Sequence, residues 1–138
     1  LMTWAQQEFQ KILYETLTLD AVLMALITGV FDSTAVPQGQ AFPYITIGEN
    51  PFNDRSNHTT RGWSSEVTIH IWFQDPKRGR KAVQEIQKEI DRLLDQQNIC
   101  IDGWNIINLR TTFVDVIIDI DNVTLHGIQK FNLLIGEA

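Results

Sequence analysis

The sequence predicts an α+β fold in which a four-stranded, mainly antiparallel sheet carries a long helix on one face and is preceded by two N-terminal helices. Three observations carry that expectation. The strongest helical stripe in the chain is Ala82, Val83, Ile86, Ile90, Leu93 and Leu94, at the three-and-four spacing of one helix face. That stripe lies between two pairs of segments with the period-two alternation of strands, an arrangement that places helices on one side of an antiparallel sheet. The composition of the 138 residues, 43% hydrophobic and 20% charged, suits one domain over residues 2–138 with a core of its own.

The elements follow in the order α-α-β-β-α-β-β. Thr3 is placed to cap a first helix whose apolar face is Ala5, Phe9, Ile12, Leu13, Thr16 and Leu17. Asp20 is a second N-cap, and Ala21 to Ile27 is apolar nearly all round, which predicts a short buried helix stopped near Gly29. Phe31 to Pro43 has two prolines and a glycine and no periodicity, as expected of a connector. Tyr44 to Glu49 and Glu66 to Phe73 alternate as strands and are expected to pair as a hairpin. The polar stretch between them, Asn50 to Ser64, is longer than hairpin connections usually are and reads as a functional or disordered loop.

Asp75-Pro76 marks a break before the long helix, expected over Lys81 to Gln96. Asp102-Gly103 turns the chain into a β-type run from Asn105 to Asp121. Its alternation changes phase, with Ile107, Leu109, Thr111 and Phe113 on one face and Val114, Val116, Ile118 and Ile120 on the other, as a β-bulge or sharp bend produces. Asp121-Asn122 then turns into a last strand, Val123 to Ile135, with Leu125, Gln129, Phe131, Leu133 and Ile135 on one side. His70, Trp72, Ile128 and Leu134 fall opposite the core stripes of their strands. That is more apolar surface than a solvated face requires, so a second layer or a partner subunit is expected to cover it.

Composition also excludes classes of function. The longest apolar stretch, Ala21 to Ile27, is far short of the roughly 20 residues of a membrane helix, and no basic leader precedes it, so a soluble, unexported protein is expected. Leu1 before Met2 reads as a cloning remnant, with Met2 the natural start. Cys100 is the only cysteine, which leaves no intrachain disulfide; set among apolar neighbours without a basic residue to lower its pKa, it is expected to be buried and inert. A formal charge of -6, from 11 basic and 17 acidic residues, repels phosphate backbones and opposes a dedicated nucleic-acid role.

No catalytic constellation emerges. The three histidines, His58, His70 and His126, lack helical metal spacing, although His70 and His126 would meet across neighbouring strands as a structural pair. Asp115, Asp119 and Asp121 stand at even spacing, which fits a charged sheet edge at least as well as a cation site, because the glycine of a calcium loop is missing. The glycines are too scattered for a dinucleotide or phosphate loop, and no cofactor or metal is expected. Trp63, Trp72 and Trp104 do not alternate with basic residues as a stacking platform would. Lys77, Arg78, Arg80 and Lys81 crowd a helix start, where the macrodipole is already positive and each costs about 0.3 to 1 kcal/mol unless answered by negative charge. Glu85, one turn beyond Lys81, offsets part of this. The run is either a solvated helix start or a contact for an acidic patch on a neighbour.

Val36-Pro37-Gln38-Gly39-Gln40-Ala41-Phe42-Pro43-Tyr44-Ile45 resembles a family of small phage tail-completion (tail terminator) proteins of long-tailed bacteriophages, prophages and gene-transfer agents. In that family a Pro-Gln-Gly turn and a Phe-Pro-Tyr segment lead into the first strand. His70-Ile71-Trp72, the stripe Ala82 to Leu94, and Asp121, Thr124, His126, Gly127 and Phe131 follow in the same order, so the resemblance covers nearly the whole chain. It implies a non-enzymatic subunit of a ring homo-oligomer, a hexamer, at the head-proximal end of the tail tube. Its partners would be itself, the tail tube protein and the head-tail connector protein; DNA would pass through the ring without specific recognition, and no membrane is involved. Its location would be the virion tail, assembled in the bacterial cytoplasm. The candidate assembly contacts are Arg55 and Arg61 in the polar loop, the basic residues Lys77, Arg78, Arg80 and Lys81, and the acidic residues Asp115, Asp119 and Asp121.

Two other classes share parts of this reading. A small α+β ligand- or RNA-binding module has the same element order. A small hydrolase would require His70 or His126 to hydrogen-bond a carboxylate inside a pocket.

Overall fold

The computed structural model describes residues 3–74 and 79–138. The helices are α1 (Ala5–Thr18), α2 (Ala21–Met24) and α3 (Arg80–Leu94); the strands are β1 (Val30–Asp32), β2 (Tyr44–Ile47), β3 (Phe52–Asp54), β4 (Gly62–Phe73), β5 (Trp104–Ile118) and β6 (Leu125–Glu137). They build one six-stranded sheet in the order β1-β2-β4-β6-β5, with β3 attached to β4. Every pairing is antiparallel except that of β1 with β2.

The alternation of β4 and β6 sets the layers. Val67, Ile69, Ile71 and Phe73 on β4 and Leu125, Phe131, Leu133 and Ile135 on β6 all point to one face and are buried. On that face lie α3, through Val83, Ile86, Gln87, Ile90 and Leu94, and α1, through Phe9, Leu13 and Leu17, in one contiguous cluster. Each fully buried Leu, Ile or Phe contributes about 1.5–3 kcal/mol relative to exposure, so burial on this face dominates the stability. Helix α3 sits close to the sheet because Gly127 lies beneath it. A Cβ at Gly127 would come within 2.6 Å of Val83 Cγ1 and 3.1 Å of Ile71 Cβ. Two buried glutamines tie the layers together: Gln87 Nε2 donates to the Asp115 carbonyl at 2.8 Å, and Gln129 Nε2 donates to the Gln87 carbonyl at 3.2 Å.

The predicted fold class stands, with two short strands added. β1 lies in the expected connector, and β3 turns the first part of the expected Asn50 to Ser64 loop into a hairpin with β4. Three-residue strands are too short to show an alternation, which is why neither is visible in the sequence. The remaining turn is pinned by its own side chains, with Asp54 Oδ1 accepting from Ser56 N and Asn57 Oδ1 accepting from Thr59 N, both at 2.9 Å.

The phase change in the long run is two bulges in β5, where the register slips between Ile106 and Asn108 and between Thr111 and Phe113. Ile107 therefore leaves the face of Leu109 and is exposed, contrary to the simple alternation. Asp20 caps α2 as expected, its carboxylate accepting from Leu23 N at 2.9 Å. That helix stops at Met24, and Val22 and Leu26 are exposed, so the segment is not buried all round. Trp4, not Thr3, is the N-cap of α1; the Thr3 hydroxyl instead donates to the Asp102 carbonyl. Cys100 is exposed, because the connection from α3 to β5 runs over the surface at that point. Among the described residues no helix is long and apolar enough to cross a membrane.

Replacing Gly127 by Val should overpack the α3–sheet interface and cost about 1–3 kcal/mol. Thermal unfolding checks this: a clear drop in Tm is expected, and an unchanged Tm would mean that α3 does not press on the sheet at this point.

Candidate functional site

The face of the sheet opposite the helices carries no second layer among the described residues. The strand registers lay its side chains out in rows. The first is Tyr44, Trp72, His126 and Ile117, crossing from β2 to β5; the second is Thr46, His70, Ile128 and Asp115. A third holds Thr68, Lys130 and Phe113. His70, Trp72, Ile128 and Leu134 share this face as expected, and Tyr44, Phe113 and Ile117 extend it. These three were missed because the bulges in β5 and the shortness of β2 hide which face they share.

The centre of the face is an aromatic stack. Trp72 lies on His126 with ring centroids 4.0 Å apart and planes within 10°. His70 Nδ1 and His126 Nε2 are 2.7 Å apart, and Trp72 Nε1 donates to Thr46 Oγ1 at 3.1 Å. At that separation one imidazole donates and the other accepts, which requires at least one of them neutral. The Lys130 ammonium stands 3.5 Å from Glu66 and 5.7 Å from the centre of the Phe113 ring. The hydrolase reading needs a carboxylate on one of these histidines; instead they pair with each other, half-buried on an open face. Among the described residues no group of three or more His, Cys, Asp or Glu side chains is placed to hold a metal ion.

Burial pushes both imidazoles below the ordinary histidine range. For His70, Glu49 opposes the shift and Lys130 adds to it; for His126, the neighbouring His70 adds to it and Asp119 opposes it. The sign follows directly. An unfolded histidine takes up its proton near pH 6.5, while in the fold these two take it up at lower pH, so the unfolded chain binds more protons between those values.

The other predicted residues fall into two groups at opposite ends of β4, which at about 3.3 Å per residue are some 35 Å apart. At its start, Arg55 and Arg61 flank the β3–β4 turn, both exposed, and the Arg61 guanidinium lies 4.9 Å from the centre of the Trp63 ring. Towards its end stand Arg80, Lys81 and the three aspartates; Lys77 and Arg78 lie outside the described residues. Arg80 Nε donates to the Val116 carbonyl of its own chain at 3.3 Å, so this cation already has an internal partner. The aspartates do not form one row. Asp115 is on β5, whereas Asp119 and Asp121 belong to the β5–β6 turn, where Asp121 accepts from Val123 N and Thr124 N. The long edge of β5 is covered in part by the chain itself: Thr111 N donates to Asp95 Oδ1 and Gln96 N to the Leu109 carbonyl.

Stability should accordingly fall as pH drops below about 6.5, and replacing both His70 and His126 by Gln should flatten that part of the profile. Melting curves between pH 7.5 and 5 test this; an identical slope for the double variant would show that the pair does not govern it.

The comparisons with known proteins agree with this architecture over nearly its full length. The family described as "Tail completion protein gp17" matches residues 11–136. The tail completion protein gp17 of Bacillus phage SPP1 is 26% identical over 137 residues, covering 98% of each chain. The solved structure of bacteriophage SPP1 gp17 superposes with a TM-score of 0.65 at 25% identity, over 96% of this chain and 94% of the other. A chain from the virion of a native gene transfer agent particle shares the fold more closely, with a TM-score of 0.85 at 21% identity over 96% and 97% of the two chains. The Pro37-Gln38-Gly39 turn that carried the resemblance is present, with Gln40 N bonded to the Pro37 carbonyl at 3.2 Å and Gly39 at φ 76°. The chain belongs to the tail completion protein gp17 family.

Proposed function

We propose that the chain is a tail terminator subunit: it assembles as a hexameric ring at the head-proximal end of the tail tube, stops tube growth and offers a surface to the head-tail connector. It performs no chemistry and needs no cofactor. The ring encloses the path of the DNA without reading its sequence. Its place is the virion tail, assembled in the bacterial cytoplasm.

The observation that carries this reading is the uncovered sheet face. A helical layer seals one side of the sheet, while Tyr44, Trp72, His70, His126 and Ile128 stand on the other, half-covered by one another and by neighbours such as Phe31, Phe42 and Thr46. Apolar and aromatic side chains in a continuous patch of this kind mark a surface that a partner subunit covers. The subunit also has two unlike flanks, β5 at one edge of the sheet and β1 at the other, as head-to-tail contacts repeated around an axis require. Arg55, Arg61, Lys77, Arg78, Arg80, Lys81, Asp115, Asp119 and Asp121 remain the proposed polar assembly contacts; those among the described residues form two sets at opposite ends of β4, which would serve different partners.

Particles assembled without this protein should yield headless tails of irregular length, and adding the purified chain should place a ring at one tail end and restore joining. Electron microscopy of the tails checks both outcomes. Tails of uniform length joined to heads in its absence would contradict the proposal.

A further inference from the structure

The β5–β6 turn carries an apolar tip that the subunit itself does not use. Ile120 is 99% exposed, and Ile118 and Val123 beside it are exposed as well. The turn is nevertheless rigidly built. Asp119 N donates to the Thr124 carbonyl and Asn122 N to the Asp119 carbonyl, at 2.8 and 2.9 Å, and Asp121 accepts from Val123 N, Thr124 N and Thr124 Oγ1 at 2.9, 2.8 and 2.6 Å. A bare isoleucine held out on a fixed turn, between two aspartates, is preorganised to enter a partner at little ordering cost.

A complementary depression of about 380 Å³ lies on the opposite flank of α3, lined by Leu26, Pro43, Phe73 and Ile86, with Lys81 and Glu85 at its rim. It opens beside the start of α3, where the N-cap Gly79 offers no side-chain cap and the first turn holds no acidic residue. Among the described residues the first turn of that helix, with Lys81 on it, holds no carboxylate, and Glu85 follows one turn on. Tip and depression stand at the same end of the sheet, because Phe73 of β4 is the register partner of Leu125, the first residue of β6 after the turn. They stand on different flanks, with the tip on the β5 side and the depression on the side of α2 and β2.

We infer that the Ile120 tip of one copy inserts into the Leu26–Pro43–Phe73–Ile86 depression of the next copy, with Asp119 and Asp121 beside Lys81 and the start of α3. Charge complementarity and the exposed apolar tip select a second copy of this chain as the occupant. A contact between two different patches at the same height of the subunit closes into a ring when the rotation allows. This inference rests on the ring reading above and names its subunit contact.

The test uses the full chain with Cys100→Ser, which removes the exposed native thiol. Variants Ile120→Cys and Glu85→Cys are treated with a short bismaleimide, separately and mixed, free and on isolated tails. A covalent dimer is expected only in the mixture. In parallel, Ile120→Asp should leave the Tm unchanged, since the residue is wholly exposed, and weaken self-association on the order of tenfold or more. If the wild-type chain forms rings but Ile120→Asp forms them equally well, or if the tip cross-links to another position or another tail protein, the contact is wrong while the ring stands. If the wild-type chain stays monomeric both free and on tails, the ring reading falls together with the contact.

Discussion

The ladder between β4 and β6, unbroken from Gly62 opposite Gly136 to Phe73 opposite Leu125, is the constraint to which the other elements conform. Strict alternation along both strands sends their aliphatic side chains to one side, and a one-residue slip would invert every one of them. Helices α1 and α3 must then pack on that side, since it is the only one that buries their stripes. Gly127 sets how near α3 approaches, and the Gln87 and Gln129 amides donate to the backbone carbonyls of Asp115 and Gln87 where α3 crosses β5 and β6. The opposite face is left open by the same alternation.

That open face is held by its own side chains. Its cover is internal and thin: an indole on an imidazole, a second imidazole against the first, and a lysine over a phenylalanine ring. Its polar atoms pair among themselves, and Phe113 and Ile117 remain exposed beside them. The flanks differ in the same economical way. β5 is long, yet its edge is blunted by Asp95, Gln96, Gln87 and Arg80, which discourages indiscriminate strand pairing.

The sequence made legible whatever has a long period. α3 is clear from its stripe, β4 and β6 from their alternation, the break in β5 from its change of phase, and the His70–His126 pair from opposite-face positions on neighbouring strands. Short or bent elements were not legible. β1 and β3 have three residues each, and the bulges at Ile107 and Thr112 decide which β5 residues reach the open face. Cys100 was misread because apolar neighbours in sequence do not fix the path of a connection, and Thr3 because its hydroxyl found the Asp102 carbonyl of a distant turn. The candidate contacts among the described residues were chosen by residue type alone. That they split between two ends of β4 depends on the register, which only the fold supplies.

The central claim is that the open sheet face is bare in the free subunit and covered in the tail. Hydroxyl-radical footprinting read by mass spectrometry compares oxidation of Trp72, Phe113 and His126 in the purified chain and in assembled tails. The account predicts strong protection of these residues in tails, with the exposed Tyr14 of α1 as a reference outside the sheet face. Equal oxidation of the three in both states would contradict it.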